Sequence, residues 1–199
     1  MPLAIDPEES LALARAVKIE LRDRMRRVRR ALGEDARAAR SAKIAERVLA
    51  LDAWSAARIV ALFVPMRTEI DVTILERAAR EDGKRIAAPR MIENGCALEL
   101  RAWEAEVAPV ESGRMVREPP ETAPLVDPAT IDLVIVPGLA FDERGARLGY
   151  GAGLYDGLLP KCTKATRVGV CLDFQLALEV PETPGDVRVD VVVTDERVL

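Results

Sequence analysis

The sequence predicts an α/β fold, a mostly parallel sheet sandwiched between helices and carrying one antiparallel hairpin. Three observations lead there. Short apolar runs bounded by proline or glycine, "RIVALFVP" (58–65) and "IDLVIVPG" (131–138), fit strands buried on both faces. Segments of helical period alternate with them. An Asn94-Gly95 pair separates "APRMI" from "ALELRAW", the strongest short hairpin signal.

Taken in order, Asp6-Pro7-Glu8-Glu9 reads as a helix start, with an Asp N-cap, Pro at N1 and Glu at N3. Val17, Leu21, Met25, Val28 and Leu32 then recur at helical spacing and predict one buried stripe, ended by Gly33. A second helix spans about Asp35 to Leu51, with Ile44, Val48 and Leu51 on its apolar face. After the strand at 58–65 comes a helix in "VTILERAAREDG" (72–83), then the strand "KRIAAPRM" and the hairpin. Residues 104–130 carry five prolines and no periodicity, which reads as a lid or binding loop. The strand at 131–138, a glycine-rich segment, a short helix and the strands "TRVGVCL" and "VRVDVVVT" complete the chain. No internal repeat or linker divides it. Residues 1–199 are read as one domain, with an N-terminal basic helix at 7–32.

Composition limits the chemistry. Apolar residues make up 49% and aromatics 4%, so the core is built from Val, Leu, Ile and Ala. No apolar run approaches the length of a membrane span, and "MPLAIDPEES" lacks a secretory pattern. Cys96, Cys162 and Cys171 lack CxxC spacing and read as free thiols of a reducing cytoplasm. The chain has no histidine, which excludes imidazole metal sites, Ser-His-Asp triads and histidine bases. Within a net charge of −4, residues 15–30 concentrate eight cations against Glu20 and Asp23.

Two segments are candidates for a site. "RLGYGAGLYDGLL" (147–159) follows the strongest strand, where open α/β sheets bind ligands. It is neither GxGxxG, since residue 154 is Leu, nor a Walker loop. Its bare backbone and the helix N-terminus after it would suit phosphate, with Arg147 as a cation and Asp156 as a Mg²⁺ ligand. A tight turn with a helix cap explains the same spacing. Lys18, Arg22, Arg26 and Arg29 repeat at 4, 4 and 3 on one face of the first helix. That face could meet a triphosphate, lie in solvent, or bind RNA, although no aromatics interleave for base stacking.

Together the blocks "KIELR" (18–22), "FVPMRTEID" (63–71), "VPGLAFDERGARLGYGAGLYDGLL" (136–159), "GVCLDFQ" (169–175) and "GDVRVDVVVT" (185–194) resemble the 5-formyltetrahydrofolate cyclo-ligase family, from about Lys18 to Thr194. The resemblance implies a single three-layer α/β/α domain. It implies cyclisation of 5-formyltetrahydrofolate to 5,10-methenyltetrahydrofolate with MgATP, through phosphorylation of the formyl oxygen. By the same resemblance, ATP lies against Lys18, Ile19, Glu20, Leu21 and Arg22, and against Arg147, Leu148, Gly149, Tyr150, Gly151, Ala152, Gly153, Leu154 and Tyr155. Folate is expected at Arg22, Val64, Glu69 and residues 150–154. Asp156 and Asp186 are expected to hold Mg²⁺, and Arg22, Arg147 and Tyr155 are the implied catalytic residues. Phe141 and Trp103 read as packing residues. The sequence departs from the family pattern in three places. Leu154 replaces an aromatic, Tyr150 and Ala152 occupy positions that are cationic in some members, and Gly185 stands where a polar residue is common. The alternative is a member that binds nucleotide or folate without closing the ring. The implied partners are folate, including polyglutamylated forms, and ATP; no nucleic acid or membrane is expected, and a monomer is favoured.

Overall fold

The computed structural model describes residues 6–92, 95–104, 110–111 and 117–199. Helix α1 (Pro7–Ala31) starts as its sequence dictates, Asp6 capping it by accepting the Glu8 N–H at 3.1 Å. It is followed by α2 (Glu34–Leu49), α3 (Asp52–Ala56) and strand β1 (Ile59–Ala61). Next come α4 (Thr73–Glu81), β2 (Arg85–Ile92) and β3 (Ala97–Ala102). Asn94 of the hairpin turn lies outside the described residues, but its strands pair antiparallel from Ala87–Ala102 to Ile92–Ala97.

The proline-rich segment holds more order than its composition suggests. Strands β4 (Val110–Glu111) and β5 (Arg117–Glu118) pair antiparallel within it. Its return leg then lies along β3, with the Val126 N–H on the Leu100 carbonyl at 2.8 Å. That cover protects the sheet edge. Residues 105–109 and 112–116 of the segment lie outside the described residues.

The chain continues through β6 (Leu133–Pro137), a small hairpin of β7 (Ala140–Phe141) and β8 (Arg147–Leu148), and α5 (Leu154–Leu158). It ends in β9 (Thr166–Val170) and β10 (Val191–Val193). The main sheet has the order β10-β9-β6-β1-β2-β3, parallel throughout except for β3.

Strand alternation builds a core on each face. Val60, Ile86, Leu133, Ile135, Val168 and Val193 pack against Ile44 and Val48 of α2 and Leu75 of α4. Ala61, Ala87, Val134, Val136 and Val192 face the other way, onto Phe141 and Leu158. Phe141 is fully buried and Trp103 packs against the first cluster, so both are packing residues as the sequence implied.

Helix α1 corrects the sequence reading. Of the expected stripe, Val17 and Val28 are exposed at 38% and 40%, while Lys18, Met25 and Arg29 are buried. The buried face is rotated toward the cations, because α1 lies over the β7–β8 hairpin and the loop after it. Only a small cluster of Met25, Leu139, Ala140, Ala146, Leu148 and Val180, with Leu21 beside it, is apolar there.

The turn between β7 and β8 is held at Gly145, where φ is +79° and an added Cβ would sit 2.2 Å from the Val189 carbonyl oxygen. The same backbone donates from Val189 N–H to the Gly145 carbonyl at 2.9 Å, so neither partner can retreat cheaply. Gly145→Ala is expected to destabilise the fold by about 3 kcal/mol or more, the sum of left-handed strain and overlap. Urea unfolding checks this; an unchanged midpoint would refute it.

Candidate active site

The parallel strands reverse their order of succession between β1 and β6: the chain leaves β1 for β2 on one side and β6 for β9 on the other. Such a switch point opens a crevice outside the carboxyl ends of the strands. A cavity of about 620 Å³ lies there, lined by residues after β1 (Phe63, Val64, Met66, Glu69), by Pro137 and the glycine segment, and by α1. Its volume falls in the range of small-molecule sites. Pro89, Met91 and Leu98 of the hairpin strands, together with Leu154, give it an apolar wall.

Helix α1 supplies the polar wall, one cation per turn. Lys18 Nζ pairs with Asp186 and with Thr183 Oγ1 at 3.0 Å. Arg22 Nε donates to the Gly149 carbonyl at 3.0 Å, and Arg26 to the Tyr150 carbonyl at 3.2 Å. Arg29 donates to the Thr68 carbonyl at 2.9 Å and to the Tyr150 hydroxyl at 2.8 Å. Arg22, Arg26 and Arg29 therefore hold the glycine segment and Lys18 the Thr183–Asp186 turn, so this face is engaged by the protein, with Arg26 partly open to solvent. At Gly151, φ is +110° and the Arg22 guanidinium lies 3.7 Å from where a Cβ would stand. A side chain would find ordinary contact distance there, so it is the left-handed backbone that calls for glycine.

Arg147 is buried, pairs with Asp156 Oδ1 at 2.9 Å, and lies over the Tyr155 ring at 5.6 Å. Its Nε is buried without a hydrogen-bond partner among the described residues. Asp156 and Asp186 both line the cavity. Among the described residues, the partners of Asp156 converge on Oδ1 and those of Asp186 on Oδ2. Burial works against the Asp186 charge, but Lys18 and the Thr183 N–H and hydroxyl outweigh it and hold its carboxyl below the usual range. No cluster of three or more metal-ligating side chains occurs among the described residues. Two carboxylates, each with one oxygen outside these contacts, fit a Mg²⁺ that takes its remaining ligands from phosphate and water.

Glu69 is nearly fully buried. Its Oε2 accepts the Met66 N–H and its Oε1 the Tyr150 hydroxyl, each at 2.9 Å. Burial pushes its carboxyl up, against the opposing pull of the Met66 N–H, Arg29 and Tyr150. Burial also pushes up the phenols of Tyr150 and Tyr155, which disfavours either as a base; the Tyr150 hydroxyl donates to Glu69.

Most of the sequence-implied residues meet in this cavity: Lys18, Ile19, Arg22, Val64, Glu69, Arg147, Gly149–Asp156 and Asp186. Glu20, Leu21 and Leu148 do not line it. Glu20 lies on the opposite side of α1 from the face shared by Lys18 and Arg22, and Leu21 packs beside Met25 on the small apolar cluster. Leu148 points opposite to Arg147 on β8 and is fully buried. The helix after the glycines, α5, has five residues, so its dipole contributes less than a longer helix would. Sequence reading missed Thr183, Arg117, Met91 and the Arg29–Tyr150–Glu69 contact. Only the ligand-facing blocks carried a sequence signal, and these partners join across distant segments.

A switch-point α/β fold with a cation-lined, glycine-rimmed crevice defines an α/β protein with a site of small-molecule size. The particular family follows from comparison: the chain belongs to the 5-formyltetrahydrofolate cyclo-ligase family, whose model matches residues 14–195. It is 31% identical over 200 residues to the 5-formyltetrahydrofolate cyclo-ligase of Saccharomyces cerevisiae, covering 89% of this chain and 95% of that one. It is 30% identical over 174 residues to the probable 5-formyltetrahydrofolate cyclo-ligase of Schizosaccharomyces pombe, covering 80% and 85%. The solved structure of the Aquifex aeolicus 5,10-methenyltetrahydrofolate synthetase superposes with a TM-score of 0.81 at 32% identity, covering 92% of this chain and 91% of that one. No helix among the described residues is long and apolar enough to cross a membrane.

Arg147 is aimed by the turn before it. The buried Asp142 accepts the N–H groups of Arg144, Ala146 and Val180, each at 3.0 Å. Burial opposes its charge, yet these donors and the Arg144 guanidinium hold its carboxyl below the ordinary 3.8. A carboxylate with a depressed folded value contributes stability above its ordinary value and loses it as pH falls through the lower one. Asp142→Asn is therefore expected to cost roughly 2 kcal/mol near neutral pH. The gap to wild type should close below pH 3.8; thermal unfolding from pH 7 to 3 checks the sign.

Proposed function

We propose that this chain closes 5-formyltetrahydrofolate to 5,10-methenyltetrahydrofolate with ATP, releasing ADP and phosphate. The observation that carries the reading is a crevice joining a cationic wall, an apolar wall and the buried carboxylate of Glu69. ATP phosphates would lie against Lys18, Arg22, Arg147 and the backbone of residues 149–155. The folate ring would take the apolar wall with Ile19, Val64 and Leu154, its N–H donors meeting Glu69. Arg15 and Arg117, exposed cations of the cavity lining, suit the glutamate tail, single or extended.

In this reading the formyl oxygen attacks the γ-phosphorus as the bond to ADP breaks. Nitrogen 10 then attacks the activated formyl carbon, its proton passing to the departing phosphate as the carbon–oxygen bond breaks. The lack of histidine is no obstacle, because these steps need positioning and charge neutralisation more than a strong base. Arg22 and Arg147 neutralise the transferring phosphoryl group, and Tyr155 offers a hydroxyl donor and a ring beneath Arg147. Asp156 and Asp186 would hold Mg²⁺, which when bound shields the phosphate charge. Lys18 and Arg147 would exchange carboxylate for phosphate oxygens as the nucleotide enters. The described chain would act as one catalytic domain, its three cysteines free thiols in the cytoplasm.

Mixing the protein with 5-formyltetrahydrofolate and MgATP and following methenyl absorbance tests the activity. Ligand stabilisation with no product at any Mg²⁺ concentration would leave only a binding role. Asp156→Asn keeps an oxygen for Arg147 and Val187 while removing the charge, so it should fold and lose about 100-fold or more in turnover. Full activity would sink the metal assignment. Arg22→Ala should weaken MgATP binding and lower kcat by roughly 10- to 100-fold; wild-type kinetics would return Arg22 to a purely structural role.

A further inference from the structure

The Tyr150 hydroxyl sits between two buried charges from different parts of the chain. It accepts from Arg29 of α1 at 2.8 Å and donates to Glu69 Oε1 at 2.9 Å. Arg29 and Glu69 are only 3% and 7% exposed. Arg29 also grips the loop that carries Glu69, through the Thr68 carbonyl at 2.9 Å and the Thr68 hydroxyl at 3.2 Å, and lies 5.8 Å from the Tyr150 ring centre. The phenol thus ties the glycine segment to the loop after β1, both of which line the crevice.

We propose that Tyr150, oriented by Arg29, is a positioning residue that fixes the Glu69 carboxylate for the N–H donors of the folate ring. The proposal rests on the folate reading above. A carboxylate in so dry a setting has two oxygens to commit. Met66 N–H occupies Oε2, and Tyr150 occupies Oε1 with a donor polarised by the guanidinium behind it. The rotamer is locked from both ends, so a ring that offers adjacent N–H groups meets a carboxylate already aimed. A phenol can do this where a lysine or arginine could not, because it accepts from Arg29 and donates to Glu69 through one oxygen. A tyrosine at this position accordingly needs no charge of its own; Arg29 brings the cation from the helix.

The groups facing Glu69 are Arg29 from α1, Tyr150 from the glycine segment, Tyr155 from α5 and the Met66 N–H of its own loop. Removing the Tyr150 hydroxyl takes away one influence that favours the ionised form. The acidic limb of folate affinity should then move to higher pH.

The test is a double-mutant cycle on the full chain with Tyr150→Phe and Glu69→Gln, read by calorimetric titration of 5-formyltetrahydrofolate and, separately, of MgATP. In the wild-type background Tyr150→Phe should weaken folate binding roughly tenfold and shift its acidic limb upward, the order expected for one hydrogen bond to a charged group. In the Glu69→Gln background the same change should matter less than about twofold, and MgATP affinity should fall by less than folate affinity does in the wild-type background. Equal folate losses in the two backgrounds, no loss in either, or an equal loss of MgATP affinity would overturn the proposal. Product formation by the wild type separates this outcome from the fate of the activity. A coupled pair in a protein that makes no product would sink the cyclisation and keep the positioning role. An uncoupled pair in an active enzyme would do the reverse. A wild type that binds no 5-formyltetrahydrofolate overturns both.

Discussion

The cations of α1 on the backbone oxygens of the glycine segment are the contact on which the rest of the site depends. Arg22 and Arg26 hold consecutive carbonyls, those of Gly149 and Tyr150. Without those donors, a loop of alternating glycines has little to fix it, since each glycine gives up more backbone freedom on folding than any other residue. The helix in turn has little apolar surface to hold it down, with Met25 its one fully buried apolar side chain. Helix and loop therefore order each other. Charge-assisted hydrogen bonds take the place of a greasy seam.

That arrangement shapes the electrostatics of the crevice. Lys18 and Arg147 stand paired with Asp186 and Asp156, the carboxylates assigned to the metal. Buried charges without partners are costly, so these cations need partners within the chain. Pairing each with a carboxylate supplies them, and in the proposed function the pairs would open as phosphate and metal enter. The raised phenols and the missing histidine push in the same direction, toward catalysis by placement and field.

Departures from the family pattern acquire a physical context here. Leu154 begins α5 and lies against the apolar cluster beneath the sheet, so it replaces aromatic surface with aliphatic surface and keeps the wall closed. Tyr150 is engaged by Arg29, and the cation at that corner comes from a helix instead of the loop. Ala152 is exposed on the rim, and the structure offers no compensating contact for it.

Period and punctuation determined much of this protein before any folding was considered. Alternating apolar runs and helical stripes gave the order of the main-sheet strands and the longer helices, though not α3, β4–β5 or the β7–β8 hairpin; the Asp6-Pro7 cap gave the start of α1, and Asn94-Gly95 the antiparallel hairpin. These are local signals, set by backbone sterics and neighbouring side chains. The ordered blocks also placed most of the crevice residues, since the ligand-facing loops hold the least replaceable chemistry. Only the tertiary structure decided which face of α1 is buried. Hydrophobicity favoured Val17 and Val28, yet the helix turned Lys18 and Arg29 inward, because carbonyls and carboxylates waiting on distant segments needed donors. Glu69, Tyr150 and Arg29 likewise meet across separations of 81 and 121 residues. No local pattern encodes such a meeting; the sheet's reversal between β1 and β6 creates it.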